Sequence, residues 1–201
     1  MRIIDCVQGS DEWFEAKRGI PSSSNFDKIV TSKGEPSKQA EKYMYQLVAE
    51  YLSGKTVDAI EQNVWMQRGT EQEDSVRQEY TFITGNEVQQ VGFCLSDDGT
   101  YGSSTDGLIE GGVIEIKVPK ASTLIQYYLH GFPTTYFQQV QGEMLVVEVE
   151  FCDFIASHES MQPFIVRVER DEAFTKRLQE ELVCFNQKLD EMKESLKEWR
   201  V

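Results

Sequence analysis

Two apolar runs meet at a Gly-Gly pair in S-S-T-D-G-L-I-E-G-G-V-I-E-I-K-V-P (residues 103–119), and this junction constrains the fold more than any other stretch of the chain. Alternating runs closed by paired glycines are the strongest short-range hairpin signal. With Gly111 and Gly112 as a two-residue turn, Glu110 pairs with Val113, Leu108 with Glu115 and Asp106 with Lys117. Side chains alternate with period two and opposed residues share a face, so Asp106, Glu115 and Lys117 stand together on one side of the ribbon. Ile114, Ile116 and Val118 point the other way, toward a core.

Two carboxylates about 4 Å apart repel by roughly 4 kcal/mol at an effective dielectric near 20, so such a pair needs a cation, a shared proton or water. Lys117 supplies one positive charge. Asp and Glu oxygens without nearby His or Cys favour hard Mg²⁺ or Mn²⁺ over Zn²⁺. Carboxylate-held ions that polarise a phosphoryl oxygen and activate water are the parts of phosphodiester hydrolysis. The spacing alone is equally compatible with a surface hairpin carrying a cross-strand Asp–Lys pair, worth under about 1 kcal/mol.

Four ordered blocks narrow this choice: Q-G-S-D-E-W-F-E-A-K-R-G-I-P-S-S-S-N-F (8–26), R-G-T-E-Q-E-D (68–74), S-T-D-G-L…E-I-K-V-P, and Y-F-Q-Q-V-Q-G-E-M (136–144). From about Gln8 to Trp199 the chain resembles the lambda-exonuclease family of viral-recombinase-type alkaline exonucleases, within the PD-(D/E)xK nucleases. The resemblance implies a restriction-endonuclease-like α/β core, a mixed central β-sheet with helices on both faces, spanning residues 1–201 as one nuclease domain. It also implies a Mg²⁺-dependent 5′→3′ exonuclease that degrades one strand of linear duplex DNA. Such an enzyme releases 5′-mononucleotides and leaves 3′ overhangs for strand annealing. A structure-specific endonuclease or a RecB-type nuclease on the same fold is the alternative, and an acidic interaction module or inactive relative is a third reading.

Carried over residue by residue, the resemblance makes Asp106, Glu115 and the backbone carbonyl of Ile116 ligands of Mg²⁺, with Mn²⁺ as substitute and two ions per site. Lys117 would hold the attacking water, Glu73 would be the additional acid, and Gln139 would contact the metal-bound water or substrate, with Gln141 a weaker candidate. Lys17 or Arg18, with Ser24 and Ser104, would bind the terminal 5′-phosphate. The chain has Lys-Arg where the family has a single arginine, which leaves open which of the two reaches the phosphate. Met66, beside Trp65, aligns with an apolar wedge that splits the end base pairs; packing under the following helix is the competing role. Removing Lys117, as Lys117→Ala, is expected to abolish hydrolysis while leaving the fold and metal binding nearly intact. Partners implied are duplex DNA ends, two further copies of the chain in a toroidal homotrimer, and a single-strand annealing protein.

Charge enters as a constraint on how DNA would be held. The chain of 201 residues carries a net −14, and residues 61–116 alone hold 11 Asp+Glu against 2 Lys+Arg. A diffuse basic surface, the usual basis of nonspecific affinity, is therefore excluded. Binding would rest on local Lys and Arg placement, backbone amides and bound ions. Four scattered cysteines without C-x-x-C, and no signal peptide or long apolar run, read as reduced thiols in a cytoplasmic protein with no membrane association. His130 and His158 lack metal spacing and receive no role.

Periodicity predicts helices over 22–30, 37–52, 71–84, 121–130, 134–147 and 171–199, and strands over 87–96, 101–110, 113–118, 150–157 and 163–169. Strands sandwiched between helices suggest a mixed sheet covered on both faces.

Overall fold

A computed structural model describes residues 1–55 and 64–200; of residues 64–71 it describes the helical backbone alone. In chain order the elements are β1 (Arg2–Ile4), α1 (Asp11–Lys17), a 3-10 turn (Ser23–Lys28), α2 (Ala40–Ser53), α3 (Val64–Thr84), β2 (Phe93–Leu95), β3 (Gly102–Ser103), β4 (Gly107–Ile109) and β5 (Gly112–Lys117). Then follow α4 (Ala121–His130), a 3-10 turn (Thr134–Tyr136), α5 (Phe137–Val147), β6 (Phe151–His158), β7 (Met161–Glu169), α6 (Glu172–Ser195) and a last 3-10 turn (Lys197–Trp199).

One sheet is mixed and ordered β4-β5-β6-β7, with β5 and β6 parallel and its other pairs antiparallel. The parallel pair requires a crossover, which α4 and α5 provide. A second, antiparallel sheet of order β1-β2-β3 lies beside it. Helices cover both faces of the mixed sheet, as expected. On one face, Val76 and Tyr80 of α3 pack against Ile109, Ile114, Ile116 and Ile155. On the other, Val140 and Met144 of α5 join Val113, Cys152 and Phe154 in the larger core, which extends to α2 and α6. β5 is thus covered on both faces and reads as a nearly continuous apolar run, in which a carboxylate at Glu115 is conspicuous.

The hairpin differs in register from the expected one. Ile109 pairs with Gly112, Leu108 with Val113 and Gly107 with Ile114, so Glu110 and Gly111 form the turn. Gly111 has φ +74°, the left-handed conformation that a turn's second central residue needs. Gly112 serves differently: a Cβ there would lie 2.5 Å from the ring of Phe151, so the strand needs a bare backbone at that point. The pairing slips by two residues, and a slip of two leaves every side chain on its original face.

The expected strand over 101–110 is broken. Between β3 and β4, buried Thr105 turns its hydroxyl to the carbonyl oxygens of Ile114 (3.1 Å) and Gly107 (3.4 Å), replacing ladder bonds with side-chain bonds. Gln8 Nε2 donates to the carbonyls of Thr105 (2.9 Å) and Val91 (3.1 Å), anchoring the N-terminal segment behind the break. The 87–96 run narrows to Phe93–Leu95, and the 22–30 helix is a 3-10 turn. β1 and α1 had no periodic signal, being short; α1 is capped by Ser10, whose Oγ accepts from the Trp13 N–H. Among the described residues no helix is long and apolar enough to cross a membrane.

Candidate active site

Strand alternation sets Glu115 and Lys117 on the α5 face of β5, and the β3–β4 break brings Asp106 alongside. Asp106 Oδ2 accepts the Ile116 N–H at 2.6 Å, so Ile116 already meets this carboxylate through its backbone. Lys117 Nζ is ion-paired with Glu115 Oε1 and sits 4.9 Å from the centre of the Tyr136 ring, at the start of α5. Gln139 Nε2 reaches the same Glu115 oxygen at 2.6 Å. Glu115 is 1% exposed and the Lys117 side chain 25% exposed, so the ammonium lies between the buried acid and solvent.

Glu73 approaches from α3. Arg77, one turn on, bonds Glu73 at 3.4 Å and Asp74, and its Nε donates to the Asp106 carbonyl at 2.9 Å. Asp106, Glu73, Arg77 and Gln8 share the wall of a cleft of about 520 Å³. A larger hollow of about 780 Å³ lies between α2 and α6, lined by Met44, Phe185 and Met192, and holds none of the motif residues. Of these motif residues the smaller, polar cleft holds Asp106 and Glu73, while Glu115, Lys117 and Gln139 lie outside its lining.

Burial raises the Asp106 carboxyl above the ordinary range, and nearby Glu115 and Glu73 add to this against the pull of Lys117 and the Ile116 N–H. Burial also raises Glu73, with Arg77 opposing. For Lys117 burial alone would depress the pKa, but Glu115 and Asp106 outweigh it and hold the ammonium above the usual lysine range.

Glu143 is a carboxylate that the motif reading passed over. It follows Gln139 by four positions, is wholly buried, and its Oε1 accepts from Gln139 Nε2 at 3.0 Å. Burial, then Glu115 and Asp106, push its pKa well up. The spacing Q-x-x-x-E on one helix was the available signal. Gln141 belongs elsewhere: its Nε2 donates to the Glu169 carbonyl at 2.9 Å and its Oε1 accepts the Asp171 N–H at 2.8 Å, tying α5 to the start of α6.

Three buried or partly buried acids, Asp106, Glu115 and Glu143, face one ammonium, with Glu73 at the margin. That negative excess, all oxygen donors, suits a hard divalent cation. Among the described residues no three such side chains stand together in an arrangement ready to hold an ion; Glu115 Oε1 is shared by Lys117 and Gln139. The unpartnered, buried Oε2 of Glu143 shows donor capacity left over.

The remaining candidates fall in a second group. Lys17 Nζ lies 3.9 Å from the centre of the Trp13 ring, and Trp13 Nε1 donates to Ser104 Oγ at 2.9 Å, so the indole joins Lys17 to Ser104. Burial lowers the Lys17 pKa, with Glu50 countering. Arg18 is drawn to Glu15, 3.6 Å away. Ser24 is exposed, its Oγ 3.4 Å from that of Ser22, while Ser23 is buried against Ser103 at 2.8 Å. Trp65 and Met66 lie on α3 where side chains are outside the described residues.

The family model described as "YqaJ-like viral recombinase domain" matches residues 12–150. The structure is similar to that of an alkaline exonuclease (LHK-Exo) from Laribacter hongkongensis: TM-score 0.84, 32% identity, covering 94% of this chain and 97% of that one. A crystal structure of LHK-Exo in complex with dAMP matches equally, with TM-score 0.84, 31% identity and the same coverage. A phage related exonuclease from Haemophilus somnus 129PT shares the fold at TM-score 0.68 and 14% identity, covering 88% of this chain and 96% of that one. No curated protein matches the sequence.

Proposed function

We propose, from the premise that this chain belongs to the YqaJ-like viral recombinase family, that it is a divalent-metal-dependent 5′→3′ exonuclease acting on linear duplex DNA. The observation that carries this reading is the convergence of Asp106, Glu115, Lys117 and Gln139 on one side of β5. Similarity to an alkaline exonuclease over nearly the whole of both chains supports the reaction class. The dAMP complex of that relative fits release of mononucleotides. The 3′ strand left behind would serve an annealing protein.

Asp106, Glu115 and the Ile116 carbonyl would hold Mg²⁺, or Mn²⁺ in its place, two ions per site; bound there, the ions polarise the phosphoryl oxygen and lower the pKa of water. Lys117 would position the attacking water with its compact ammonium, steadied by Tyr136. Gln139 would orient the substrate phosphate or the water, and Glu73, at the cleft margin, would act on a metal ion through water or assist the second ion. Lys17 and Ser104, linked through Trp13, would bind the terminal 5′-phosphate together with Ser24, with Arg18 as a flanking cation. Met66 would act as the wedge. A ring of three copies would let a net −14 chain handle DNA, because only residues lining the channel need be basic.

The test is digestion of linear duplexes with 5′-phosphate or 5′-hydroxyl ends beside a closed circle, with Mg²⁺ present. The expected result is mononucleotide release from the phosphorylated 5′ strand and an intact circle. Loss of the circle, or progress from the 3′ end, would refute the assignment.

A further inference from the structure

We propose that Glu143 is a further carboxylate of the ion site, sharing a divalent cation with Glu115 across the Gln139 amide; this rests on the metal-dependent reading above. The motif D…E-x-K places no acid on α5, and Glu143 therefore adds a ligand that the hairpin does not supply. Three observations carry the assignment. One helical turn separates Gln139 from Glu143, which puts both on the side of α5 facing β5. Gln139 Nε2 donates to Glu115 Oε1 at 2.6 Å and to Glu143 Oε1 at 3.0 Å, so a single amide spans the two carboxylates. Glu143 Oε2 is buried with no hydrogen-bond partner among the described residues.

A structural role explains these facts poorly. The neighbours of Glu143 on α5, Val140, Met144 and Val147, are buried apolar residues, and nothing about packing there calls for a charge. A buried carboxylate with an unsatisfied oxygen costs stability unless something pairs with it. A hard cation shared with Glu115 supplies that partner and also screens the two acids from each other.

The test uses the full chain, stripped of metal and titrated with Mn²⁺, with binding followed by calorimetry and by the electron paramagnetic resonance of free Mn²⁺. Glu143→Gln keeps the shape and removes the charge. Mn²⁺ affinity is expected to fall by at least about 10- to 100-fold, the loss that removal of a mere outer-shell partner causes. The metal-free variant should melt at or near the wild-type temperature, since glutamine keeps the shape and polarity of the buried carboxyl, and its rise in melting temperature on adding Mn²⁺ should be smaller. Wild-type Mn²⁺ affinity in the variant would overturn the proposal, and so would a lowered metal-free melting temperature or failure to fold, either of which marks a structural carboxyl. Asp106→Asn separates this from the reading beneath it. If Asp106→Asn loses Mn²⁺ and Glu143→Gln does not, the ion site stands and the role of Glu143 falls. If the wild type binds no Mn²⁺, both fall.

Discussion

Replacing Lys117 with methionine removes the ammonium while keeping a side chain of similar length, and the structure sets what should follow. Lys117 Nζ pairs with Glu115, which is 1% exposed. Removing one partner of a buried pair costs about 3–5 kcal/mol, because the other charge is left uncompensated. Two features reduce that here. The Lys117 side chain is 25% exposed, so solvent already screens the pair, and Gln139 still donates to Glu115 at 2.6 Å. A loss of about 2–3 kcal/mol remains, which is roughly 4–12 °C in Tm for a chain of this size. Metal-free protein measured by calorimetry should show it. Mg²⁺ at about 100 times its Kd adds about 2.7 kcal/mol to any form that binds it, so the metal-bound variant should melt near the metal-free wild type while the gap to the metal-bound wild type persists. Hydrolysis of a linear duplex should still fall by about 10²–10⁴, since the ion does not replace a positioned donor to the attacking water. Equal metal-free melting of Lys117→Met and wild type, within about 1 °C, would refute the buried-pair argument. Cleavage within about tenfold of wild type would refute the catalytic assignment. The residues alone lead one to expect a nearly intact fold without Lys117; the buried partner adds a stability cost that only packing brings to light.

Further outcomes concern pH, caps and the turn. Burial holds the Lys17 pKa below its ordinary value, and phosphate binding needs the charged form. The preference for 5′-phosphorylated over 5′-hydroxyl ends should therefore decline over a range of alkaline pH that lies below the ordinary lysine range, as the ammonium is lost. Lys17→Arg should retain the preference across that range, and parallel KM profiles for the variant and the wild type would exclude Lys17 from the pocket. Glu148 closes α5 at φ +64°, so Glu148→Gly should stabilise by about 1 kcal/mol, read as a raised urea midpoint with unchanged slope. Gly112→Ala drives a Cβ into the Phe151 ring at 2.5 Å and should cost about 1–3 kcal/mol, measured in the same way.

The hairpin shows how far residues alone can be read. That Glu115 and Lys117 share a face followed from period-two alternation, and it survives a register error of two because parity survives it, whereas Asp106 lies in the break before β4 and meets the strand through the Ile116 N–H. The error arose because Gly-Gly offers two adjacent positions for a turn. Phe151, distant in sequence, makes Gly112 a strand residue and so leaves Gly111 to the turn. The helix over 121–130 was legible, and α4 occupies it; the expected helix over 171–199 overran, since α6 ends at Ser195 and a 3-10 turn over Lys197–Trp199 follows. β1, β2 and β3 were illegible or blurred because two- and three-residue strands have no period to detect.

By itself the sequence determined which face each hairpin side chain would take, the alternation of helices and strands, and the kinship carried by four ordered blocks. These are local matters, settled by backbone geometry and by the order of residues along the chain. Only the tertiary structure decided that α5 brings Gln139 and Glu143 onto Glu115, that Trp13 links Lys17 to Ser104, and that Gln141 braces α6 away from the acids. Those contacts join residues far apart in the chain. Whether they form depends on how helices pack on a twisted sheet, and that is set by the shape of the whole core.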